Sequence, residues 1–324
     1  MSEKSLKIAK LLGEPINESL PTPVEISAIA DEYTAAAGEH VWRLKNIDEL
    51  VDRVFDVDAN GKITVVNVTP LQDVELSFKG LNSKKEYVLV DEILNSVDTD
   101  ALARRKESIT RGMDKKEIQL ILNAIVTPTN AVYPYNKVEN QGVTVVSGVS
   151  GDDLYDVFLN AKHALEDYGD SYAGLVGTTV KEKIDSYSKE NASTDNYDVR
   201  LAAKLKEWDI EVTKIFGKVA AKTGAATVLL DAKKFILVAK NSRLAKGKPI
   251  AFCRRLINAS VAAQMGADVD SAQRAMFVGQ VPTSVDFSGV SSDVLGYSVF
   301  GYESIVFAIS NPSAVVVADC SEII

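Results

Sequence analysis

The residues best suited to chemistry are three oxygen-bearing side chains at alternate positions, Asp56, Asp58 and Asn60, with a glycine directly after them. Together with the apolar residue two positions further on, they match the first eight positions of a calcium-binding EF-hand loop. The twelfth position is Asn67, where that loop needs a bidentate glutamate, and residues 64–70 do not suit the exiting helix. An Asn-Gly pair between alternating apolar residues is typical of a β-hairpin turn. We therefore predict a turn without a metal, and calcium binding is the minor alternative.

Nucleophilic or zinc chemistry would have to use the two histidines and two cysteines of the chain. His163 lies opposite the apolar stripe of its predicted helix, and His40 follows a predicted helix end, where it would cap carbonyl groups. Cys253 and Cys320 lack the Cys-x-x-Cys or histidine spacing of a zinc site. Arginines after Cys253 would favour a reactive thiol, but burial of a small side chain is the preferred interpretation. We predict no catalytic or metal-binding role for these four residues, and the cysteine count indicates a reducing compartment.

Phosphate binding and acid–base chemistry also lack a clear pattern. Neither Gly-x-x-x-x-Gly-Lys-Ser/Thr nor Gly-x-Gly-x-x-Gly opens a helix, so no nucleotide cofactor is expected. The basic clusters 104–106, 115–116 and 233–234 are interpreted as solvated faces or as partners of acidic patches on neighbouring molecules. An enzyme that uses carboxylates and lysines remains an open alternative, with three candidates that show no convergent spacing: Asp152, Asp153 and Asp167. We predict that the chain is not an enzyme and has no cofactor.

Composition sets the limits within which these residues must be positioned. The chain has 324 residues and a formal charge of −9, with 46% hydrophobic and 25% charged residues. These fractions are ordinary for a globular protein of two units or one elaborated domain. The acidic balance argues against a dedicated nucleic-acid binder. The longest apolar runs, 143–149 and 304–309, are far shorter than the ~20 residues of a membrane span, and residues 1–13 do not resemble a signal peptide.

The first half of the chain changes from helical to strand-like patterns and back. Thr22 as N-cap, Pro23 at the first helical position and Glu25 predict a helix that runs to about Gly38. Alternating apolar residues predict β-hairpins over 51–90. A long helix is then predicted from Asp98 to Ile125, with Gly112 as a point of weakness, and a loop follows over 128–140. The stripe of this helix contains Leu102, Ile109, Met113, Glu117, Leu120, Ile121 and Ala124.

The block from Gly151 to Lys240 is a compact α/β unit that contains no catalytic pattern. A one-faced helix is predicted over 151–169, a second helix starts at Thr178 or Thr179, and a charged helix covers 197–208. A strand over 210–215 and the apolar run 227–238 complete the block. Beyond it, 249–267 is predicted to be helical, 278–292 to be loop or short strand, and 296–310 and 315–318 to be strands.

This order of elements resembles the major capsid proteins of tailed bacteriophages, which have the HK97-type fold. The ending is the most specific part, because Tyr297-Ser-Val-Phe-Gly-Tyr-Glu-Ser-Ile-Val-Phe-Ala-Ile-Ser and the later Val315-Val-Val-Ala are similar to the closing strand pair of that family. The resemblance implies an α+β chain with five parts. These are an N-terminal arm (1–50), an extended β-hairpin loop (51–90), a peripheral domain with a long spine helix (91–142), an axial domain (143–295) and closing strands that return through both domains (296–324).

The resemblance implies self-assembly into hexamers and pentamers that form an icosahedral head around double-stranded DNA. The expected partners are other copies of the chain, a scaffolding protein, a portal protein, a decoration protein, and packaged DNA bound on the inner face without sequence specificity. A membrane is not expected. The scaffold is expected to be separate because the arm follows Met1 almost at once. The predicted location is the virion, after assembly in the host cytoplasm.

Aromatic side chains dominate the energetics of buried interfaces, so we expect the intersubunit contacts to involve six of them. They are Trp42, Phe55, Phe78, Tyr87, Tyr133 and Tyr135. Lys79, Lys84 and Lys85 lie near a predicted loop tip, but no motif identifies an acceptor for an isopeptide bond, and crosslinking is not predicted.

Three other functions stay open at this point. The first is an encapsulin-like compartment shell, which has the same fold but encloses enzyme cargo. The second is the soluble enzyme with a carboxylate and lysine site. The third is a calcium-binding adhesion or tail module built on Asp56–Asn60. Packaged DNA would distinguish a capsid from a compartment shell. A convergent arrangement of carboxylates and lysines would indicate the enzyme, and calcium-dependent stability would indicate the adhesion or tail module.

Overall fold

The computed structural model describes residues 23–44, 74–83, 86–89, 100–126, 143–149, 153–186, 188–190, 198–219, 225–240, 247–257, 273–282, 294–309 and 312–324. The helices in this part of the chain are α1 (Val24–Ile29), α2 (Asp100–Val126), α3 (Leu154–His163), α4 (Thr178–Ser186) and α5 (Leu201–Glu207), with a 3-10 turn at Pro312–Ala314. The strands before α5 are β1 (Ala30–Ala35), β2 (Val41–Leu44), β3 (Val74–Ser77), β4 (Lys79–Asn82), β5 (Glu86–Leu89), β6 (Thr144–Ser147), β7 (Tyr172–Val176), β8 (Ser188–Glu190) and β9 (Asp198–Arg200). Those after it are β10 (Ile210–Lys214), β11 (Lys218–Val219), β12 (Thr227–Val228), β13 (Lys234–Ala239), β14 (Ile250–Arg255), β15 (Arg274–Pro282), β16 (Val294–Ile309) and β17 (Val315–Asp319).

The 16-residue strand β16 organises the first sheet, which has six strands. β14 pairs with residues 304–309 of β16 and β15 with residues 294–303, both antiparallel. β4 and β5 pair with residues 302–305 and 296–299. β1 extends the sheet by pairing in parallel with β14. Strands from both ends of the chain therefore meet around one central strand.

The second sheet has five strands in the order β10-β7-β13-β17-β6. Its central strands are buried on both faces, which explains their continuous apolar runs. One face, with Leu175, Ile236 and Val317, belongs to the core that also contains α2 and the first sheet. The other face, with Val176, Phe235 and Val316, packs against α3, α4 and α5. Successive side chains of each strand therefore belong alternately to the first core and to the second core.

The long helix α2 lies against both sheets, with contacts to β16 and β17. Its apolar stripe contributes Ile118, Ile121, Leu122 and Ile125 to the first core. A Cβ at Gly301 of β16 would lie 2.5 Å from Sδ of Met113. Glycine at this position therefore allows the helix to approach the strand closely. The helix is continuous through Gly112, so the weakness predicted there does not break it.

The predicted helix from Pro23 to Gly38 is wrong beyond Ile29. The helix α1 is one short piece, and Ala30–Ala35 forms β1 instead. Pairing with β14 satisfies the backbone groups of these residues, and this tertiary interaction outweighs the helical propensity of the alanines. Pro23 occupies the N-cap position and not the first helical position that was predicted for it. Thr22 lies outside the described residues, so its capping role stays a prediction.

The second wrong element is the helix predicted over 249–267. Residues 250–255 form the strand β14, which is buried between β1 and β16; residues 258–267 lie outside the described part. Residues 172–176 lie between the first two helices predicted for the block, where no strand was predicted, and they form the fully buried strand β7. Short apolar runs are ambiguous because periodicity alone does not separate a buried strand from a buried helix.

Several other elements agree with the sequence. The helix α3 has the predicted acidic start, with a capping box between Asp153 and Asp156. The helix predicted from Thr178 is α4, with Val180 and Ile184 buried. The charged helix is shorter than predicted and spans Leu201–Glu207. The closing strands are present as β16 and β17. The block 151–240 is not a separate unit, however, because its sheet also needs β6 and β17.

Candidate functional site

Two of the six aromatic contact candidates have side chains that the structure describes. Trp42 lies on β2, opposite Leu76 of β3, and its ring contacts Tyr33 at a centroid distance of 5.3 Å. Phe78 lies between β3 and β4, and the guanidinium of Arg255 stands 5.3 Å from the centre of its ring. Both rings are partly buried against the first core. Each therefore already has intramolecular partners.

The remaining candidates are less well defined. The backbone of Tyr87 pairs with Ser298 of β16. The other predicted contacts and the calcium candidates lie outside the described residues: Phe55, Tyr133, Tyr135, Asp56, Asp58 and Asn60. Among the described residues, no group of three or more histidine, cysteine, aspartate or glutamate side chains is arranged to hold a metal ion.

An aromatic surface lies at the edge of the first sheet, formed by Tyr33, Val41 and Trp42. The strand β1 is the last strand of the sheet on this side in the part of the chain that is described. Tyr33 is 46% exposed and Val41 is 38% exposed. Burial of part of Tyr33, together with the charge of Asp31, raises the pKa of its hydroxyl group. The surface combines exposed apolar area with a free strand edge, two features that favour association.

The histidines occupy exposed positions. His163 lies at the end of α3, where its ring nitrogen is 4.0 Å from the carboxylate of Glu166. His40 is exposed in the turn between β1 and β2. The prediction that it caps a helix is wrong because the preceding element is a strand.

The cysteines are both fully buried. Burial, and to a lesser extent the charge of Glu39, raises the pKa of the Cys253 thiol to about 12. Burial and the charge of Asp319 raise the pKa of Cys320 to about 12 as well. Because the thiolate is the reactive form, both residues are packing residues, as predicted for Cys253.

The alternative of an enzyme with a carboxylate and lysine site would need a cavity. The structure has a surface hollow of about 510 Å³ between α4, α5 and β10. Its charged lining residues are Lys181, Lys206, Asp209, Glu211 and Lys240. Lys240 forms an ion pair with Glu211, and Lys181 forms one with Asp185 at 2.5 Å. The carboxylate is exposed in both pairs. The aspartates suggested by the sequence are not there: Asp153 caps α3, Asp167 is exposed beyond that helix, and Asp152 lies outside the described residues.

The main concentration of buried charge was not anticipated from the sequence. Asp114 and Glu117 of α2, Arg254 of β14, Arg274 of β15 and Glu303 of β16 form one ionic cluster. Strand register explains the arrangement. Arg274 lies directly opposite Glu303, and Arg254 lies opposite Ile305, two residues further along β16. Side chains two residues apart share a face of the sheet, so Arg254, Arg274 and Glu303 all point toward α2.

Hydrogen bonds fix the geometry of the ionic cluster. Arg254 donates to both oxygens of Glu117, at 2.9 and 2.7 Å. Arg274 donates from Nε to Oε2 of Glu303 at 2.5 Å and from Nη1 to Oδ1 of Asp114 at 2.7 Å. The Nη2 atom of Arg274 lies 3.6 Å from Oε1 of Glu117. The side chains of Glu117, Arg274 and Glu303 are completely buried.

These buried charges shift each other's titration. Burial acts to lower the pKa of Arg274, but the charges of Glu303, Glu117 and Asp114 outweigh it and raise that pKa. Burial, followed by repulsion from Glu117, raises the pKa of Glu303 from its ordinary 4.5 to about 7, against the attraction of Arg274 and Arg254. One sign was visible in the sequence, since Glu117 falls within the apolar stripe of its helix. Its partners are 137 and more residues away along the chain.

Among the described helices, none is long and apolar enough to cross a membrane. No protein-family model matches the chain, and no curated protein matches it in sequence.

Comparison with solved structures gives a consistent result. The chain is similar to the capsid of a native GTA particle, with a TM-score of 0.53 and 11% identity over 95% of this chain and 93% of the other. It is similar to the capsid of cyanophage P-SCSP1u, with a TM-score of 0.52 and 9% identity over 95% and 91% of the two chains. The mature capsid of bacteriophage PhiM1 gives a TM-score of 0.52 and 7% identity over 95% and 90%.

These similarities extend over nearly the full length of both chains in each comparison. The chain therefore has the α+β fold of HK97-type capsid proteins, as the order of its elements predicted. At identities of 7–11% the similarity defines the fold.

Proposed function

We propose that this chain is the major capsid protein of a tailed bacteriophage. Copies assemble into hexamers and pentamers, and these form an icosahedral head that encloses double-stranded DNA. The observation that carries the proposal is the match to capsid structures over 95% of the chain.

The exposed features of the chain support self-association. The aromatic surface at Tyr33, Val41 and Trp42 adjoins the strand β1, and the second sheet ends at β6 with Val145 63% exposed. Apolar residues beside strand edges favour contacts with other chains. Contacts between unlike surfaces of identical subunits close into rings, which is the symmetry that hexamers and pentamers require.

The domain division that accompanies this proposal follows the two sheets. The first sheet with α2 would be the peripheral domain, and the second sheet with α3, α4 and α5 would be the axial domain. The strands β14 and β15, which lie within the 143–295 range expected for the axial domain, would then belong to the peripheral domain. The N-terminal arm and the extended loop would contact neighbouring subunits, through Trp42, Phe78 and Tyr87 among the aromatic candidates. A separate scaffolding protein, a portal protein, a decoration protein and packaged DNA are the proposed partners. The proposed location is the virion, after assembly in the host cytoplasm.

Two alternatives make different predictions. A compartment shell of the same fold would enclose protein cargo and no DNA. A soluble enzyme would use the hollow between α4 and β10 and would remain monomeric. We favour the capsid because two lysines of that hollow, Lys240 and Lys181, form ordinary surface ion pairs with the exposed carboxylates of Glu211 and Asp185.

The test is to express the full chain alone and together with the neighbouring genes of its genome, including any scaffolding protein. Size-exclusion chromatography with light scattering, followed by negative-stain microscopy, measures the size and symmetry of the particles. We expect rings or closed shells, and DNase-protected DNA inside particles from infected or induced cells. A chain that stays monomeric under all these conditions would contradict the proposal. Shells that contain only protein cargo would support the compartment alternative.

A further inference from the structure

The ionic cluster contains an unequal number of buried charges. Its acidic members are Asp114, Glu117 and Glu303, and its basic members are Arg254 and Arg274. With all five ionised, the cluster has one negative charge in excess. An uncompensated buried charge is costly, and proteins avoid it by protonation of the group.

The hydrogen bonds identify the carboxylate that is least well compensated. Both oxygens of Glu117 accept bonds from Arg254. Asp114 is 31% exposed and accepts a bond from Arg274, so water also solvates it. Glu303 is completely buried and accepts one bond, at Oε2. Its Oε1 atom has no hydrogen-bond partner among the described residues.

The groups that face Glu303 come from every element packed around it. Glu117 and Asp114 belong to α2, Arg254 to β14 and Arg274 to β15. On the other side, the residue paired with Glu303 is the uncharged Leu81 of β4, and the next residue on the same face of that strand is the exposed Lys79, opposite Ile305. The single guanidinium bonded to Glu303 is shared with Asp114 and lies close to Glu117.

We propose that the ionic cluster is a proton-binding site, in which Glu303 takes up one proton and so removes the excess negative charge buried between α2 and the first sheet. The proton removes the excess charge without breaking the ion pairs between α2, β14 and β15. The raised pKa of Glu303, about 7, agrees with this arrangement.

The direction of the pH effect follows from linkage. The pKa of Glu303 is higher in the folded chain, about 7, than its ordinary value of 4.5. The folded state therefore binds more protons than the unfolded state between these values. The contribution to stability is fully present below about 4.5 and is lost as the pH rises through about 7. We expect the folded chain to be more stable against unfolding in mildly acidic than in mildly alkaline solution.

The proton itself can be observed in the full chain labelled with carboxyl-¹³C glutamate. Infrared difference spectra between pH 5 and pH 9 should contain the band of a protonated glutamic acid that titrates near pH 7. Glu303→Gln should lack this band. Glu107→Gln is the control, because Glu107 is an exposed glutamate of α2 that pairs with Arg111 outside the ionic cluster; it should keep the band.

Urea unfolding supplies the second measurement. The unfolding equilibrium constant of the wild-type chain should rise by up to about tenfold per pH unit between pH 5 and pH 7. Glu303→Gln should remove this component of the slope, and Glu107→Gln should retain it. Equal slopes in wild type and Glu303→Gln would overturn the proposal.

A further variant keeps the proposal testable if Glu303→Gln does not fold. Glu117→Gln removes the negative charge that raises the pKa of Glu303, so the titration of the glutamic acid band should move to lower pH. An unchanged titration, or loss of the band in Glu117→Gln but not in Glu303→Gln, would overturn the assignment to Glu303. These measurements concern the folded chain, and their outcome does not depend on whether the chain forms shells.

Discussion

At the scale of single residues, one stacked pair of aromatic rings lies within the second core. Phe158 of α3 stacks on Phe235 of β13 with ring centroids 4.0 Å apart, and both side chains are completely buried. Such a contact joins a helix to the centre of the second sheet. Phe216, by contrast, is 67% exposed and lies between β10 and β11.

We predict that Phe158→Ala lowers the free energy of unfolding by about 3–5 kcal/mol, because it removes buried area and leaves a cavity. Phe216→Ala is the matched control and should change this free energy by no more than about 0.5 kcal/mol. Urea titration of both variants measures the difference. Similar effects at the two positions would show that the burial of Phe158 is not the cause.

The cysteines give a second prediction for single residues. With a pKa near 12 and full burial, Cys253 and Cys320 should react with a thiol reagent at pH 8 only after the chain unfolds. The exposed helical position Ser108 provides a control, since Ser108→Cys should be labelled at once in the native protein. Rapid labelling of Cys253 in the native wild-type chain would contradict this interpretation.

At the scale of elements, two glycines have opposite effects on the stability of α2 and its packing: Gly112 within the helix and Gly301 in the neighbouring strand β16. Gly112 lies within the helix, and a Cβ added there would have open space for 4 Å around it, whereas a Cβ at Gly301 would collide with Sδ of Met113. The first glycine costs helical stability, and the second allows close packing between helix and strand.

Gly112→Ala should therefore stabilise the chain by about 0.5–1 kcal/mol. Gly301→Ala should destabilise it by about 1–3 kcal/mol, because the added methyl group overfills the contact. Thermal unfolding of both variants tests the pair. Gly301→Ala should cost less in a Met113→Ala background than in the wild type, because the atom that collides is then gone, and strictly additive effects would exclude the proposed collision.

The elements also show how far local patterns predict structure. The helices α2, α3 and α4 and the strands β16 and β17 were predicted because their periodicity is long or their apolar runs are strong. The strands β1 and β14 were predicted as helices, since their residues form β structure only when paired with each other and with β16. Long-range pairing of this kind is not encoded within any short window of sequence.

At the scale of the whole molecule, the proposed shell depends on surfaces that are exposed in a single chain. The two tryptophans of the sequence offer a comparison, because each forms a tilted pair with a tyrosine: Trp42 with Tyr33 at 5.3 Å, and Trp208 with Tyr155 at 5.2 Å. Trp42 belongs to the aromatic surface at the edge of the first sheet, and Trp208 lies at the end of α5 in the second core.

We predict that Trp42→Ala reduces assembly at least tenfold at a fixed protein concentration, as expected for loss of a central aromatic contact. Trp208→Ala should assemble like the wild type. Light scattering of variants that unfold cooperatively provides the measurement. Normal assembly of Trp42→Ala would remove this residue from the proposed interface.

The sequence by itself determined the overall class of the chain. Element order along 324 residues, the closing strands and the absence of recognisable catalytic spacing predicted an α+β capsid fold, and the structural comparisons confirmed that fold. The exposure of His163 also followed from local pattern, because it depends on the face that its helix presents. The burial of Cys253 was expected from its residue type, although its strand was predicted as a helix.

Only the tertiary structure decided where the buried charge lies. Glu117, Arg254, Arg274 and Glu303 are spread over three strands and one helix, and nothing in their local spacing relates them. They meet because β16 holds β14 and β15 in a fixed register beneath α2. Local patterns report propensity and burial, whereas a charge cluster depends on contacts between distant residues, and these exist only once the chain has folded.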